Sequence, residues 1–189
     1  MPTLYVIAGP NGCGKSTLTR TEYFGNTFMI DPDAIARRQP DGDSIQSPAR
    51  VALAQRRAAL ESRQTHLIET TLSGKGIFRH VEAARKKGYM VSLHYIFLES
   101  PDVALDRIRN RVKLGGHDVK QEDVKRRFAR SCDNLPIMIA QSDEVCLYDN
   151  SDPDRPLRRI AKFKHGNWWN EIPGWAVKAI QQSRKLDRH

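Results

Sequence analysis

The segment that decides the fold is Thr3-Leu4-Tyr5-Val6-Ile7-Ala8-Gly9-Pro10-Asn11-Gly12-Cys13-Gly14-Lys15-Ser16. Its first six residues are branched, aromatic or small, as in a buried strand. The next eight match GxxxxGK[ST], and the residues from Lys15 to Tyr23 read as a helix. Strand, glycine loop and helix in that order make the motif credible as a phosphate cradle. Its glycines let successive backbone N–H groups turn toward phosphate oxygens, and the helix amino terminus adds a favourable dipole. In such a loop Gly9, Asn11, Gly12, Cys13 and Gly14 wrap the phosphates, Lys15 pairs with β- and γ-phosphate oxygens, and Ser16 is a ligand for Mg2+. Thr17 reads as an α-phosphate contact or a helix-turn residue. The implied cofactors are ATP and Mg2+.

Outward from this motif, strands alternate with helices. Asn26–Ile30 reads as a strand and residues 48–64 as an amphipathic helix with Ser47 as N-cap and Pro48 at its first position. THLIE is a strand, GIFRHVEAARKKG a helix closed by Gly88, and YMVSLHYIFL the longest strand-like run. Helices follow from Pro101 to Leu114 and from Lys120 to about Ser142, and EVCLY is the last buried strand. This alternation predicts a three-layer α/β fold: a mainly parallel, five-stranded sheet with helices on both faces. In such a sheet ligands bind on the rim formed by the carboxyl ends of the strands. The whole chain, 1–189, reads as one domain, with a C-terminal extension over about 151–189 that ends in a helix from about Pro173.

Several motifs fall on the predicted rim. Asp31 and Asp33 follow the second strand; a carboxylate there can take the proton of an attacking hydroxyl or orient metal-bound water, and it can equally cap the next helix. Glu69 closes the third strand, where a carboxylate needs a cation or hydroxyls, so it faces either the Mg2+ shell or a polyol substrate. Thr70, Thr71 and Ser73 offer neutral donors and acceptors to a ligand or to their own turn. Asn150, in the turn after the last strand, either touches the nucleotide or belongs to a plain Asx turn.

The chain has 189 residues, 31 Lys+Arg and 22 Asp+Glu, for a formal net charge of +9. The excess is concentrated: residues 107–130 carry 9 basic and 3 acidic residues, and residues 155–189 carry 9 and 2. The first block is two cationic segments around Gly115-Gly116, the composition of a hinged lid over phosphates, in which arginines stabilise transferring charge and closure excludes water. Arg107 and Arg111 share a helical face, and His117 sits at the hinge. The second block keeps a nucleic-acid partner open. Cys13, Cys132 and Cys146 show neither disulfide nor zinc spacing. No membrane span or secretory leader is visible, which points to the cytoplasm.

Taken in order, GPNGCGKS, IDPD, LIETTLSG, RIRNRVKLGGHDV, RRF and YDNS resemble the zeta-toxin family of P-loop kinases, particularly its small bacterial members, from about Thr3 to Phe163. The resemblance implies a nucleotide-kinase-like fold and transfer of the γ-phosphate of ATP to a hydroxyl, with UDP-N-acetylglucosamine the acceptor in characterised zeta toxins, and a small antitoxin protein as partner. It implies Asp33 as the base that activates the hydroxyl and Glu69 as a substrate-binding carboxylate. Beside the resemblance, Thr70 and Thr71, next to Glu69 in sequence, and His117, at the hinge, are read from the residues as further substrate-binding candidates, His117 toward the phosphates or a phosphate-bearing substrate. Arg111 and Arg127 would stabilise the transferring phosphoryl group. Two other readings of the residues stand beside this one: a P-loop kinase or ATPase acting on a nucleic-acid or tRNA substrate, and a non-enzymatic ATP-binding module.

Overall fold

A computed structural model describes residues 1–22, 24–25, 27–30, 35, 47–116, 118–170 and 172–186. Its elements, in chain order, are β1 Thr3–Ala8, α1 Lys15–Thr21, β2 Phe28–Ile30, α2 Pro48–Glu61, β3 His66–Thr70, α3 Gly76–Lys86 and β4 Met90–Phe97. After these come α4 Pro101–Lys113, α5 Gln121–Ala140, β5 Glu144–Asp149, β6 Arg158–Lys164, β7 Asn167–Trp169 and α6 Gly174–Leu186.

The strands form one sheet in the order β2-β3-β1-β4-β5-β6-β7. The first five are mutually parallel, as the alternation of strands and helices requires. The expected five strands are therefore the parallel part, and the sheet is larger by an antiparallel hairpin, β6 and β7. His165 and Gly166 at the hairpin tip both have positive φ, 51° and 80°, the backbone of a two-residue type I′ turn. The sequence signal for it is the apolar/polar alternation on either side of His165-Gly166, within the expected C-terminal extension.

The β1 strand is buried on both faces and lies between β3 and β4, so the loop that follows it opens at the middle of the sheet. One face carries a core of Leu4, Val6, Ile68, Leu93, Tyr95 and Leu147 with residues of α2, α3, α6 and the second half of α5. The other carries Ile7, Leu67, Ile96, Cys146 and Tyr148 with α1 and α4. On α3, Ile77, His80, Val81 and Ala84 repeat at helical spacing and form its buried stripe. The α5 helix contributes Val124 to the second cluster and Leu135, Met138 and Ile139 to the first, so it serves both layers. No helix among the described residues is long and apolar enough to cross a membrane.

Candidate nucleotide and phosphoryl-transfer site

The glycine loop owes its shape to close backbone contacts. Gly9 has φ 144°, and a Cβ there would lie 2.4 Å from the Ile96 carbonyl oxygen and 2.7 Å from Cys13 Sγ. Gly14, the N-cap of α1, has φ 97°, and a Cβ there would lie 2.7 Å from Asn150 Nδ2. Side chains at either point would break the fit, so both glycines are dictated by space as well as by backbone conformation. Gly12 faces the Ala104 carbonyl at the start of α4. The Thr17 and Leu18 amides of α1 donate to the Gly14 carbonyl at 3.1 and 2.9 Å, which leaves the amides that precede them as the phosphate-directed donors at the head of the helix.

Lys15 lies across this loop. Its ammonium donates to the carbonyls of Gly9 and Pro10, both at 2.9 Å. Cys13 is fully buried beneath it, and burial raises its thiol pKa against the opposing pull of Lys15. Asn11 contributes a buried Oδ1 with no protein partner among the described residues. Thr17 is exposed, and its carbonyl accepts from the Thr21 hydroxyl at 3.0 Å.

Glu69 reaches α1 from the end of β3. Ser16 Oγ donates to Glu69 Oε2 at 2.9 Å, and Thr19 Oγ1 lies 2.8 Å from Glu69 Oε1. Thr19 has one proton and a second acceptor, the Lys15 carbonyl at 3.0 Å, so its hydroxyl chooses between the two. Register explains the meeting: Glu69 pairs with Ile7 on β1, one residue short of the strand end, and is thus level with the start of the loop. Ser16 and Thr19 are three apart on α1 and share a face. Thr19 was not singled out from sequence, although this spacing from Ser16 was the available signal.

The turn after Glu69 is self-contained. Thr70 Oγ1 accepts from Leu72 N at 3.0 Å, and the Thr71 and Ser73 hydroxyls meet at 2.8 Å. Leu72, fully buried, has φ 58°, uncommon for a residue with a side chain. Its carbonyl accepts from Asn134 Nδ2 of α5 at 2.8 Å. Thr70 and Thr71 are thus placed as turn hydroxyls beside Glu69.

Asn150 proves to be a clamp. Its Nδ2 donates to the Cys13 carbonyl at 2.9 Å, and its Oδ1 accepts from Leu157 N at 2.9 Å. Its backbone N–H donates to the Phe97 carbonyl, and its carbonyl accepts from Arg107. Both ends of its side-chain amide are therefore committed to the protein, with the residue 8% exposed. The Asx turn is made by its neighbour: Ser151 N donates to Asp149 Oδ1 at 2.9 Å. Arg107, read from sequence only as sharing a face with Arg111, ties α4 to this clamp.

The lid residues divide. Arg111 lies one turn beyond Arg107 on α4, and a Cβ at Gly116 would come within 2.5 Å of its Cγ. Gly115 and Gly116 end α4 in a Schellman motif: Gly116 N donates to Arg111 O and Gly115 N to Val112 O, both at 2.9 Å. The glycine pair, expected as a hinge, has here the fixed geometry of a helix stop. Arg127 sits near the start of α5, 4.0 Å from Asp123, which also pairs with Arg126 at 2.6 Å. Asp31, Asp33 and His117 lie outside the described residues. No metal-binding cluster of three or more His, Cys, Asp or Glu occurs among the described residues, and the three cysteines are free.

Comparison with known proteins agrees with this geometry. An uncharacterized protein of Haemophilus influenzae is 33% identical over 123 residues, covering 64% of this chain and 88% of its own. The structure of the PezAT chromosomal toxin–antitoxin system of Streptococcus pneumoniae superposes with a TM-score of 0.67 at 17% identity, over 98% of this chain and 85% of the other. The AvrRxo1-ORF1:ORF2 complex with ATP superposes with a TM-score of 0.68 at 18% identity, and this chain spans 97% of its own length and 64% of that chain. These likenesses establish a P-loop kinase-like α/β fold. The family model for zeta toxins matches residues 1–152, which takes in the loop, Glu69, α4, α5 and the Asn150 clamp, and the chain accordingly belongs to the zeta toxin family.

Proposed function

We propose that the protein is an ATP-dependent kinase that transfers the γ-phosphate to a hydroxyl of a small molecule. The observation that carries this reading is the contact of Ser16 and Glu69 at 2.9 Å beside the Lys15 loop. A hydroxyl and a carboxylate converging at the mouth of a phosphate loop are a hard oxygen-donor pair that suits Mg2+. When bound, such an ion neutralises charge on the β- and γ-phosphate oxygens.

The remaining work falls to the chain's own residues. Lys15, now on the Gly9 and Pro10 carbonyls, exchanges those acceptors for phosphate oxygens. Asp33 accepts the proton of the acceptor hydroxyl as its oxygen attacks the γ-phosphorus and the bond to the bridging β–γ oxygen breaks, leaving ADP. Arg111 and Arg127, on the two helices that flank residues 114–120, stabilise the equatorial charge of the transferring group. Glu69, Thr70 and Thr71 border the acceptor side, with His117 in the connecting segment. A sugar nucleotide of the UDP-N-acetylglucosamine type is the first acceptor to test. A small antitoxin protein that covers the nucleotide loop is the expected partner.

The test is incubation of the protein with γ-labelled ATP and a fractionated metabolite extract, UDP-sugars first. Label should move to a hydroxyl-bearing metabolite with wild type and not with Lys15→Ala. Asp33→Ala should lose transfer and still bind ATP. Nucleotide binding with no transfer to any fraction would mean an ATP-binding module instead of a kinase.

A further inference from the structure

The phosphate site leaves the second basic block unused. Among the described residues of 155–186 there are eight Lys and Arg and no carboxylate. Four of these cations lie on β6: Arg158 stands opposite Asp149 at 3.9 Å, and the other three, Arg159, Lys162 and Lys164, have an ordered placement. The alternation of β6 sends Ala161 and Phe163 to the first core, opposite Leu147 and Val145. Lys162 and Lys164 consequently face the other side of the sheet, the side of Cys146 and Tyr148. Arg159, two residues before Ala161, would by that alternation join the core face. It does not, because the register shifts between Leu147 and Tyr148, so that Arg159 stands opposite Tyr148 and Lys162 opposite Cys146. A β-bulge re-aims one side chain in this way.

The result is a stripe of Arg159, Lys162 and Lys164 on one face, Lys162 and Lys164 one same-face step of about 6–7 Å apart and Arg159 three residues before Lys162 across the bulge. Lys164 is paired with Glu144 at 2.8 Å; Arg159 and Lys162 make no ion pair among the described residues. Beside the middle cation, Trp169 of β7 is its cross-strand partner on the same face and is 61% exposed. An indole that exposed is costly in water and is of use to a flat partner. The stripe starts two residues after Leu157, whose backbone N–H is held by the Asn150 clamp, and runs to the hairpin tip.

We infer that this face of the β6–β7 hairpin binds a single-stranded polynucleotide, its phosphates on Arg159, Lys162 and Lys164 and a base stacked on Trp169. Cations in a row track a backbone, and an aromatic plane between them takes a base of any sequence. An acidic protein segment would use the cations and gain little from the indole ring. A second copy of this chain laid face to face on the stripe would set cation against cation.

The test uses the full chain without nucleotide, so it is independent of phosphoryl transfer. A fluorescein-labelled oligouridylate 12-mer is titrated by anisotropy in 50 and 200 mM KCl, with a thymidylate 12-mer as the second arm. Binding should weaken about 7- to 20-fold between the two salts, the dependence for two to three phosphate contacts on a single strand. Tighter binding of one arm identifies the polymer as RNA or DNA, and either supports the inference. Lys162→Ala should flatten the log–log salt slope by about 0.7. Trp169→Ala should weaken binding roughly 5- to 150-fold, and Trp169→Phe should retain most of it, both with circular-dichroism melts like wild type. The inference is overturned by absence of binding up to 1 mM, by a Trp169→Ala variant that binds like wild type, or by polyglutamate competing as well as the oligonucleotide.

Discussion

Glu69 shows how much chemistry one register position can hold. It joins β3 to two hydroxyls of α1, so Glu69→Gln keeps the shape and removes the charge. We expect kcat for ATP-dependent transfer to fall by about 10²- to 10³-fold with little change in melting temperature, the usual effect of removing a preorganised electrostatic group. Steady-state kinetics decide it, and full activity would place Glu69 outside the chemistry. Asn150 has the opposite profile: Asn150→Ala strands the Cys13 carbonyl and Leu157 N, so stability should drop by about 2–3 kcal/mol in urea unfolding. The buried histidines add a pH dependence. Burial first, then the charges of His66 and Arg56, holds His80 down to about 3, and burial holds His94 down to about 4. Both sit below the ordinary value near 6.5, so the unfolded chain binds more protons between those limits. Stability is therefore full above pH 6.5 and declines as pH falls, by about 1.4 kcal/mol per pH unit for each histidine. A urea midpoint that is the same at pH 7.5 and pH 5 would contradict this. Lys15 and Ser16 are singled out by the spacing of the glycine motif and Glu69 by being the carboxylate that closes a buried strand, whereas the Ser16–Glu69 contact joins segments 53 residues apart and comes from packing. The roles of Thr19, Arg107 and Asn134 were not legible in the sequence, since each acts through a contact between segments far apart in the chain.

At the level of elements, the α4–α5 pair is where sequence and structure diverge in meaning. The glycines at 115 and 116 mark a boundary in either reading, but the Schellman bonds make that boundary a stop with defined geometry. Gly116→Ala should push its Cβ into the Arg111 stem and backbone, displacing that arginine. Transfer activity should fall by at least about tenfold if Arg111 stabilises the phosphoryl group, while stability changes by only about 1–2 kcal/mol. Activity like wild type would remove Arg111 from the proposed machinery. The start of α4 was readable from Pro101, and the structure adds the Ser100 hydroxyl accepting from Val103 N. The ends of α2 and α5 fall two to three residues short of the stretches with helical composition, because composition continues past the point where the last backbone bonds close. The β6–β7 hairpin escaped because its turn depends on His165 adopting a positive φ, which residue preference alone does not announce.

For the whole molecule, the sheet order explains why one loop can unite so many parts. With β1 between β3 and β4, the glycine loop meets the end of β3 at Glu69, the start of α4 at Gly12, and the turn after β5 at Asn150. Alternation of strands and helices made the parallel layers legible, whereas strand order and the joining contacts come from packing that no local pattern encodes. ATP with Mg2+ should therefore stabilise the entire domain: at 100 times its dissociation constant the gain is about 2.7 kcal/mol, or roughly 5–10 °C in melting temperature. Lys15→Ala should abolish the shift and Asp33→Ala should keep it, as differential scanning fluorimetry would read out. The Asn150 clamp gives this binding a thermodynamic character of its own. Because the Cys13 carbonyl is fastened to the body through one buried amide, the loop's order is a product of folding and need not be supplied by nucleotide. Calorimetry should then find little conformational entropy lost when ATP binds wild type, and a larger unfavourable entropy in Asn150→Ala, whose loop must be organised by the ligand itself.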